Sequence, residues 1–361
     1  MFARLLARLL RDTCYTEAMF KPIFTITPKI VNDLSEIAQI KALVDKSPLL
    51  PVREAFLRRW ATIKIAHTST SIEGNTLEIH QVEQILENKP VRAQEKQITE
   101  VKNYLSALKL VDRIFKTKSK IDSTDVLNFH KEIVSGLVEQ TKIGVFRPGP
   151  VYVVNVLPDG SEKLVYTPPA SGQVSALINE LLDWLSNSDN HPIINAGLLH
   201  YQFETIHPFT DGNGRVGRLL ALLYLYKTGW NFRKVLVLED YYNDNREAYY
   251  TALQTGVDYS SRLEVDLTSW LEYFIEGFLI AAKKVQDQVL TPPNTLSLDE
   301  LKIIDFVLSI GKITSKDVVD ILNTPKRTAQ SKLSRLEKTM ILIKKGAGPV
   351  TYYIIRSQHY Q

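Results

Sequence analysis

The sequence of 361 residues has a single cysteine, Cys14, and no apolar run near the roughly 18–20 residues that span a bilayer. One cysteine excludes an intramolecular disulfide framework and a cysteine zinc site, and it suits a reducing compartment. The pattern Gly-x-x-x-x-Gly-Lys-Ser/Thr is also absent, which excludes a P-loop. These absences predict a cytoplasmic protein that does not enter a membrane.

Composition is that of an ordinary globular chain, with 44% hydrophobic and 23% charged residues. The net charge of +4 is unevenly distributed. Residues 324–361 hold eight Lys and Arg against one acid, Glu337, which leaves 36 basic and 39 acidic residues elsewhere. A basic C-terminal segment on a slightly acidic body indicates contact with an anionic partner.

Residues 1–22 are predicted to be an N-terminal extension. Arg4, Arg8 and Arg11 interrupt its apolar stretch, which makes a secretory signal a poor match. Three interpretations stay open: an amphipathic helix on a membrane surface, a mobile extension, or an upstream start codon with initiation at Met19.

Helical periodicity predicts a mainly α protein. The stretch "REAFLRRWATIKIAHTSTSIEGN" places Phe56, Trp60 and Ile63 on one helix face. Gly74 is suited to end this helix, and Asn75 with Glu78 resembles the cap of the next one. Further helical patterns follow in residues 95–115, 123–137, 171–187 and 195–209.

One stretch breaks the helical pattern. Tyr152, Val154 and Val156 alternate, Pro158-Asp159-Gly160 is typical of a turn, and Leu164–Tyr166 returns as a second strand. This pattern predicts a β-hairpin. Because an isolated hairpin is only marginally stable, we expect it to lie on the helical body as a flap.

The region 291–361 is predicted to be a winged helix-turn-helix domain, because a proline-containing linker is followed by three helical patterns and two short β-rich segments. Its third helix carries the basic residues Lys326, Arg327, Lys332 and Arg335. Two interpretations stay open: contact with DNA phosphates, or a solvated basic face on a protein-interaction domain.

The segment "HPFTDGNGRVGRLL" concentrates chemistry-bearing residues at the start of a helix. Gly212, Asn213 and Gly214 would let backbone N–H groups approach an anion at the positive helix end, where phosphate is the usual guest. Arg215 and Arg218 lie three apart on one helix face, which suits a polyphosphate.

Two further groups precede this turn. Asp211 facing phosphates would need an intervening divalent cation such as Mg²⁺. His207 titrates near neutral pH and could accept a proton from an attacking hydroxyl as a general base. The spacing by itself also fits a purely structural turn.

The residue order resembles a known family. "HPFTDGNGRVGR" matches the Fic signature His-x-Phe-x-Asp/Glu-Gly-Asn-Gly-Arg-x-x-Arg at every specified position, and roughly residues 100–260 also resemble a Fic domain, with "GVFR" before the hairpin and "EAYYTAL" after the helix. The resemblance implies a Fic-type helical bundle with a hairpin flap. It also implies transfer of AMP from ATP to a Ser, Thr or Tyr hydroxyl of a target protein or of itself, releasing pyrophosphate. Phosphocholine and UMP transfer stay open.

Roles follow from the resemblance by position. His207 resembles the general base and Asp211 the Mg²⁺ ligand. The residues Gly212, Asn213 and Gly214 correspond to the nest for the α- and β-phosphates, and Arg215 and Arg218 to clamps on the outer phosphates.

The family resemblance also implies contacts for the nucleoside and for the target. Tyr249 and Tyr250 fall where relatives contact the nucleoside. The hairpin Val151–Tyr166 resembles the flap that aligns a target segment by strand addition, with Val165, Tyr166 and Thr167 as flap residues.

A second motif, "STSIEG", resembles the family's inhibitory pattern Ser/Thr-x-x-x-Glu-Gly/Asn from Ser69 to Gly74. Glu73 at the negative end of a helix is disfavoured by roughly 0.3–1 kcal/mol, which a cationic partner would relieve. The resemblance implies that this partner is Arg218 and that the pair prevents productive docking of ATP.

Two other functions stay open: removal of AMP from the target at the same site, and a nucleotide-sensing, DNA-binding regulator with little catalysis. The predicted domains are the extension 1–22, an inhibitory helical region 23–99, the Fic domain 100–290 and the winged helix 291–361. A homodimer is implied by resemblance alone.

Overall fold

The computed structural model describes residues 20–49, 51–117, 120–156, 160–290, 297–338, 341–348 and 351–355. Most of the predicted extension, the turn residues Pro158 and Asp159, and residues 291–296 of the linker lie outside this part of the chain. The described residues fall into two compact units. One draws on Met1–Lys41 and Ala61–Lys283, the other on Ala42–Trp60 and Lys284–Gln361.

Helices account for most of the chain up to residue 290. They are α1 (Pro28–Lys46), α2 (Pro51–Ile72), α3 (Ile79–Leu86), α4 (Glu95–Thr117), α5 (Ser123–Val134), α6 (Val174–Asn187), α7 (Pro192–Ile206), α8 (Asn213–Lys227), α9 (Glu239–Asp244), α10 (Arg246–Leu253), α11 (Tyr259–Arg262) and α12 (Thr268–Leu290). Strands β1 (Val153–Val156) and β2 (Glu162–Tyr166) lie between α5 and α6. The expected mainly α fold with one hairpin is confirmed.

Helices α7 and α8 form the core of the first unit. Both are buried along nearly their whole length, as expected of helices that are apolar on all sides. They pack on each other, while α4, α5 and α6 pack around them. Gly197 in α7 permits close approach of Phe274, because a Cβ at this glycine would lie 3.0 Å from the phenyl ring.

The connection between α2 and α3 bears directly on the site. Helix α2 ends at Ile72, and Gly74 adopts a φ of +94°, as expected for a glycine that ends a helix. The predicted cap of α3 needs correction. Glu78 is the N-cap and forms a capping box with Gln81. The buried amide of Asn75 instead donates to the backbone oxygen of Gln97 and to Glu100, because α4 passes beside it.

The hairpin is antiparallel, with Val153 opposite Tyr166 and an irregularity between Val153 and Val154. Its C-terminal end is fixed to the helical body. The buried Tyr166 hydroxyl donates to the Thr205 carbonyl at 2.7 Å, and the Arg262 guanidinium lies 3.5 Å from the Tyr166 ring centroid. The Thr167 N–H donates to the carbonyl of Val257 at 2.9 Å.

The second unit contains α13 (Leu298–Ile310), α14 (Ser315–Leu322) and α15 (Lys326–Lys338), followed by antiparallel strands β3 (Leu342–Lys345) and β4 (Tyr352–Ile355). Its core comprises Ile303, Val307, Ile313, Val318, Ala329, Leu333, Leu336 and Leu342. This element order agrees with the order expected from the sequence, and the winged-helix assignment stays a prediction. None of the helices within the described ranges is both long and apolar enough to cross a membrane.

Candidate active site

The site is built on the connection between the two core helices. His207 follows α7 in a left-handed conformation with a φ of +49°, which turns the chain away from the helix axis. The buried Arg147 holds this turn from beneath. Its Nε donates to the His207 carbonyl at 2.8 Å, and its backbone N–H donates to the Pro208 carbonyl at 2.9 Å. The position of His207 is therefore fixed by backbone contacts.

The loop closes on itself before α8 begins. The Asn213 amide donates to the backbone oxygen of Phe209 and accepts from its N–H, both at 2.9 Å. Phe209 is fully buried and stacks on His130, with ring centroids 3.8 Å apart. Gly212 adopts a φ of +83° as the N-cap of α8. The Asn213 side chain thus holds the shape of the loop through its two hydrogen bonds with the Phe209 backbone.

The start of α8 meets the end of α2. Val216 is the first α8 residue whose N–H donates back along the helix, to Gly212, so the preceding N–H groups lie at the helix end where anions bind. The carboxylate of Glu73 occupies this position. A Cβ on Gly214 would collide with Glu73 Oε1 and approach Arg218 Nη1 to 3.1 Å. Glycine at position 214 therefore leaves room for an acidic group against the helix end.

Arg218 makes three hydrogen bonds with residues of α2 and its end. The guanidinium donates to Glu73 Oε1 at 2.8 Å, to Ser69 Oγ at 2.8 Å and to the Ser69 carbonyl at 2.9 Å. The Arg218 side chain is 2% exposed and that of Glu73 is 32% exposed. Burial opposes the charge of Arg218, but the neighbouring Glu73 carboxylate outweighs it and raises the pKa of Arg218. The structure thus brings together the three residues that the inhibitory motif implied.

Arg215 has a different environment. It is buried, and its Nη2 donates to Asp211 Oδ1 at 2.9 Å, whereas its Nε has no partner within the described part of the chain. The Asp211 side chain is 51% exposed. A half-exposed carboxylate beside a helix N-terminus fits Mg²⁺, which is commonly held by one or two carboxylates together with substrate phosphates.

His207 is partly buried, and its protonation suits a base. Burial lowers the pKa of His207 to about 4, although hydrogen bonding to the backbone of Glu204 works in the opposite direction. The imidazole is therefore neutral near pH 7 and can accept a proton. Its Nδ1 lies 3.9 Å from Glu204 Oε2.

The predicted nucleoside contacts differ from each other. Tyr249 is 1% exposed, and its hydroxyl pairs with His200 Nε2 at 2.7 Å. Tyr250 is 49% exposed, and its hydroxyl donates to the Ile72 carbonyl at 3.3 Å, next to Glu73. Of the two tyrosines, Tyr250 is the one that the structure leaves accessible beside the nest.

The flap residues also differ in accessibility. Tyr166 is buried as an anchor, Val165 and Thr167 are partly buried, and Leu164 is 56% exposed. Among the residues that the structure describes, this sheet consists of β1 and β2, so β2 has an outer edge on which an added strand could pair.

Sequence reasoning assigned no role to Arg147, Glu204 or Arg262. The segment "GVFR" contains Arg147, but only the fold shows that its guanidinium reaches the His207 carbonyl, 60 residues away. Glu204 precedes His207 by one helical turn, a spacing at which side chains on a helix are neighbours.

Comparisons with known proteins identify the domain. The sequence model of the Fic/DOC family matches residues 120–225. The chain is 32% identical over 215 residues to a protein adenylyltransferase Fic of Drosophila willistoni, which covers 56% of this chain and 41% of the relative. It is also 32% identical over 203 residues to the protein of the same name from Aedes aegypti, covering 54% and 37%. The chain thus spans about two fifths of the curated relatives it matches.

Solved structures agree with this match. A Fic family protein from Desulfovibrio desulfuricans G20 superposes with a TM-score of 0.64 and 27% identity, covering 95% of this chain and 100% of that one. A Fic domain containing signaling protein from Bacteroides thetaiotaomicron VPI-5482 shares the fold, with a TM-score of 0.59 and 19% identity over 73% and 97% of the two chains. Residues 120–225 thus match a Fic/DOC domain, and the fold is that of solved Fic proteins.

Proposed function

We propose that the protein is a protein adenylyltransferase that transfers AMP from ATP to a Ser, Thr or Tyr hydroxyl and is held inactive by Glu73. One observation carries the proposal: an acidic side chain from α2 lies against the N-terminal end of α8 and pairs with Arg218. A carboxylate in that position stands where the phosphates of a nucleotide would bind. The names of the curated relatives support the same reaction.

In the proposed reaction, neutral His207 accepts the proton of the target hydroxyl. The oxygen then attacks the α-phosphorus of ATP, the bond to the bridging oxygen breaks, and pyrophosphate leaves with the negative charge. Backbone N–H groups of the turn Gly212–Gly214 and the guanidinium of Arg215 would stabilise charge that develops on the phosphates. Tyr250 would contact the nucleoside, and the outer edge of β2 would align the target segment.

Asp211 would hold Mg²⁺ in this reaction. Within the described ranges no group of three or more His, Cys, Asp or Glu side chains could hold a metal ion, so the ion would take its other ligands from ATP phosphates and water. When bound, it would screen the charge between the carboxylate and the phosphates. The hydrogen bond from Arg215 to Asp211 already orients this carboxylate.

Inhibition follows from competition for Arg218. While Glu73 pairs with this guanidinium, an outer phosphate of ATP would meet a carboxylate instead of a cation. Removing the Glu73 carboxylate should free Arg218 and relieve the repulsion. We further propose a homodimer and a cytoplasmic location, which rest on family resemblance and on cysteine usage.

The test is the intact mass of the purified protein after incubation with ATP and Mg²⁺. Wild type, Glu73→Gly and Glu73→Gly/His207→Ala would be compared. We expect an adenylyl increment that is small in wild type, rises by on the order of 10²-fold in rate in Glu73→Gly, and disappears in the double variant, since a positioned base contributes roughly 10²–10⁴-fold.

Glu87 offers a matched control. It follows the end of α3 as Glu73 follows the end of α2, and its side chain is 31% exposed. Glu87→Gly should leave the increment at the wild-type level. Absence of any increment in Glu73→Gly, in a protein that still binds ATP, would overturn the proposed function.

Removal of AMP is a second proposal for the same site. The Glu73 carboxylate lies beside the nest with about a third of its surface exposed, so it could orient a water molecule towards an adenylylated side chain. Incubating the adenylylated Glu73→Gly product with catalytic amounts of wild type would test this. We expect wild type to remove the adenylyl increment from this product, and a Glu73→Gln protein to leave the increment in place.

A nucleotide-sensing, DNA-binding regulator is the alternative function. In α15, Lys332 pairs with Asp299 at 3.1 Å and Arg335 with Glu300 at 3.4 Å, both on α13. Lys326 and Arg327 at the start of α15 are exposed. This distribution favours a DNA contact at the beginning of the helix, where, among the described residues, neither basic side chain pairs with α13.

Binding to duplex DNA at low and moderate salt would test that alternative. We expect Lys326→Glu/Arg327→Glu to abolish a salt-sensitive complex, whereas Lys332→Glu, which alters a side chain engaged with α13, should weaken it less. No binding of wild type at low salt would leave the domain without a DNA role.

A further inference from the structure

The side chain of Glu204 carries an inference beyond the proposed function, on which it rests. Glu204 belongs to α7 and is one helical turn before His207. Its Oε2 lies 3.9 Å from His207 Nδ1, which is too long for a hydrogen bond but short enough for a strong charge interaction. The carboxyl group of Glu204 therefore lies near Nδ1 of the imidazole, while the backbone of the same residue hydrogen-bonds the His207 ring.

The other carboxyl oxygen is directed into the protein. Glu204 Oε1 is buried and has no hydrogen-bond partner among the residues that the structure describes. It lies against α8 at Gly217, where a Cβ would come within 2.7 Å of it. The glycine therefore makes room for this carboxyl group against α8, where Arg218 is the arginine that acts on it.

A buried, unsatisfied carboxyl oxygen is costly and is rare without a functional reason. Several ionisable groups face Glu204 from the elements around it: His200 and His207 of its own helix and turn, Glu73 after α2, Arg218 of α8, Tyr249 and Tyr250 of α10, and Arg262 of α11.

We propose that Glu204 is a positioning residue for His207: its carboxylate faces the imidazole and stabilises the imidazolium that forms when the target hydroxyl loses its proton. The role is that of the acid in a carboxylate–histidine pair, in which the acid orients the base and does not touch the substrate. The proton stays on His207 and does not pass to Glu204.

The electrostatics of the inhibited form agree with this inference. Burial raises the pKa of Glu204 to about 8, and the charge of Glu73 adds to this effect, whereas Arg218 and Arg262 oppose it. While Glu73 occupies Arg218, Glu204 is therefore mostly protonated at neutral pH and cannot stabilise an imidazolium. When Glu73 leaves, its repulsion disappears and Arg218 is freed, so ionisation of Glu204 becomes easier.

The test compares Glu73→Gly with Glu73→Gly/Glu204→Gln, which keeps the shape of the side chain and removes its charge. We expect kcat for adenylyl transfer to fall on the order of 10²-fold, with the KM for ATP within about twofold. The acid limb of the kcat–pH profile should shift in the glutamine variant. Glu73→Gly/Glu204→Asp should recover part of the rate.

A second readout does not depend on transfer. The ring resonance of His207, identified by its loss in His207→Ala, is followed by NMR between pH 4 and 8. In the Glu73→Gly background, Glu204→Gln should lower the pKa at which His207 titrates. In wild type, where Glu204 is mostly protonated, the same substitution should change that pKa less.

Glu239 provides the matched control. It is also buried, and burial raises its pKa to about 7, so Glu73→Gly/Glu239→Gln should leave the His207 titration where it is. An unchanged His207 titration in Glu73→Gly/Glu204→Gln would overturn the inference, as would equal losses of kcat and of ATP affinity. If Glu73→Gly transfers no AMP, the proposed function fails, and the titration still decides the role of Glu204.

Discussion

The two arginines at the start of α8 have the same chemistry and opposite surroundings. Arg218 donates three hydrogen bonds to Ser69 and Glu73. Arg215 is also buried but donates only to the half-exposed Asp211, and its Nε lacks a partner among the described residues. Arg218 is therefore paired with a carboxylate that follows another helix, whereas Arg215 is paired with a carboxylate of its own turn. The difference locates the proposed inhibition at Arg218 rather than across the whole nest.

The first prediction concerns stability, where the contrast should be largest. Arg218→Ala should lower the free energy of unfolding by about 2–3 kcal/mol, because it leaves Glu73 and the buried Ser69 without their cation. Arg215→Ala should cost about 1 kcal/mol, since solvent can replace the partner of exposed Asp211. Urea unfolding of both variants would measure this. Equal losses would mean that the two arginines do not differ in the way their contacts suggest.

The second prediction concerns nucleotide affinity. In the Glu73→Gly background, Arg218→Ala should weaken ATP binding about 10–100-fold, because a charge-assisted contact to an outer phosphate is lost. In wild type, where Glu73 occupies the guanidinium, Arg215→Ala should weaken ATP binding more than Arg218→Ala does. Titration calorimetry with ATP and Mg²⁺ would give the five affinities, those of the two parent proteins included. If Arg218→Ala weakens ATP binding by the same factor in both backgrounds, Glu73 and ATP do not compete for Arg218.

The third prediction concerns Ser69, which holds Arg218 from the side of α2. Ser69→Ala removes the acceptor of a buried, charge-assisted hydrogen bond and should cost about 1–2 kcal/mol of stability. It should also raise the rate of self-adenylylation a few-fold, because Arg218 is held less firmly beside Glu73. Ser71→Ala serves as control. Ser71 lies on the same helix as Ser69, but its hydroxyl accepts a hydrogen bond from Arg246 of α10. No change in rate with Ser69→Ala would restrict the role of this serine to folding.

The local motifs predicted the residues at the start of α8 and the end of α2. They did not predict most of the contacts between residues far apart in the sequence. The pairing of Glu73 with Arg218 joins residues 145 apart and could be expected only because two motifs resembled one family. No pattern indicated that Arg147 would hold the His207 turn or that Tyr249 would be buried while Tyr250 is exposed. Those outcomes depend on which helices pack together. Asn75 illustrates the same limit, because a residue typical of a cap is used by a neighbouring helix instead.

The last prediction extends the comparison from the two arginines to Glu204, whose carboxyl group lies against α8 at Gly217. The folded protein raises the pKa of Glu204 from 4.5 to about 8, chiefly by burial. Between these values the folded state keeps a proton that the unfolded chain has lost, so stability falls as pH rises through this window. Glu204→Gln cannot ionise and should lose this slope. The histidines His130 and His207, whose pKa burial lowers to about 4, produce a slope of opposite sign below pH 6.5 that both proteins share.

Melting temperatures of wild type and Glu204→Gln, taken from pH 5 to pH 8, would therefore diverge, with the variant gaining relative to wild type as pH rises. In the Glu73→Gly background the divergence should be smaller, because Glu73 no longer raises the pKa of Glu204. Parallel curves in wild type would mean that Glu204 is already ionised beside Arg218. In that case the carboxylates of Glu73 and Glu204 would both act on the guanidinium of Arg218. The electrostatic difference between Arg218 and Arg215 would then be greater than the hydrogen bonds alone indicate.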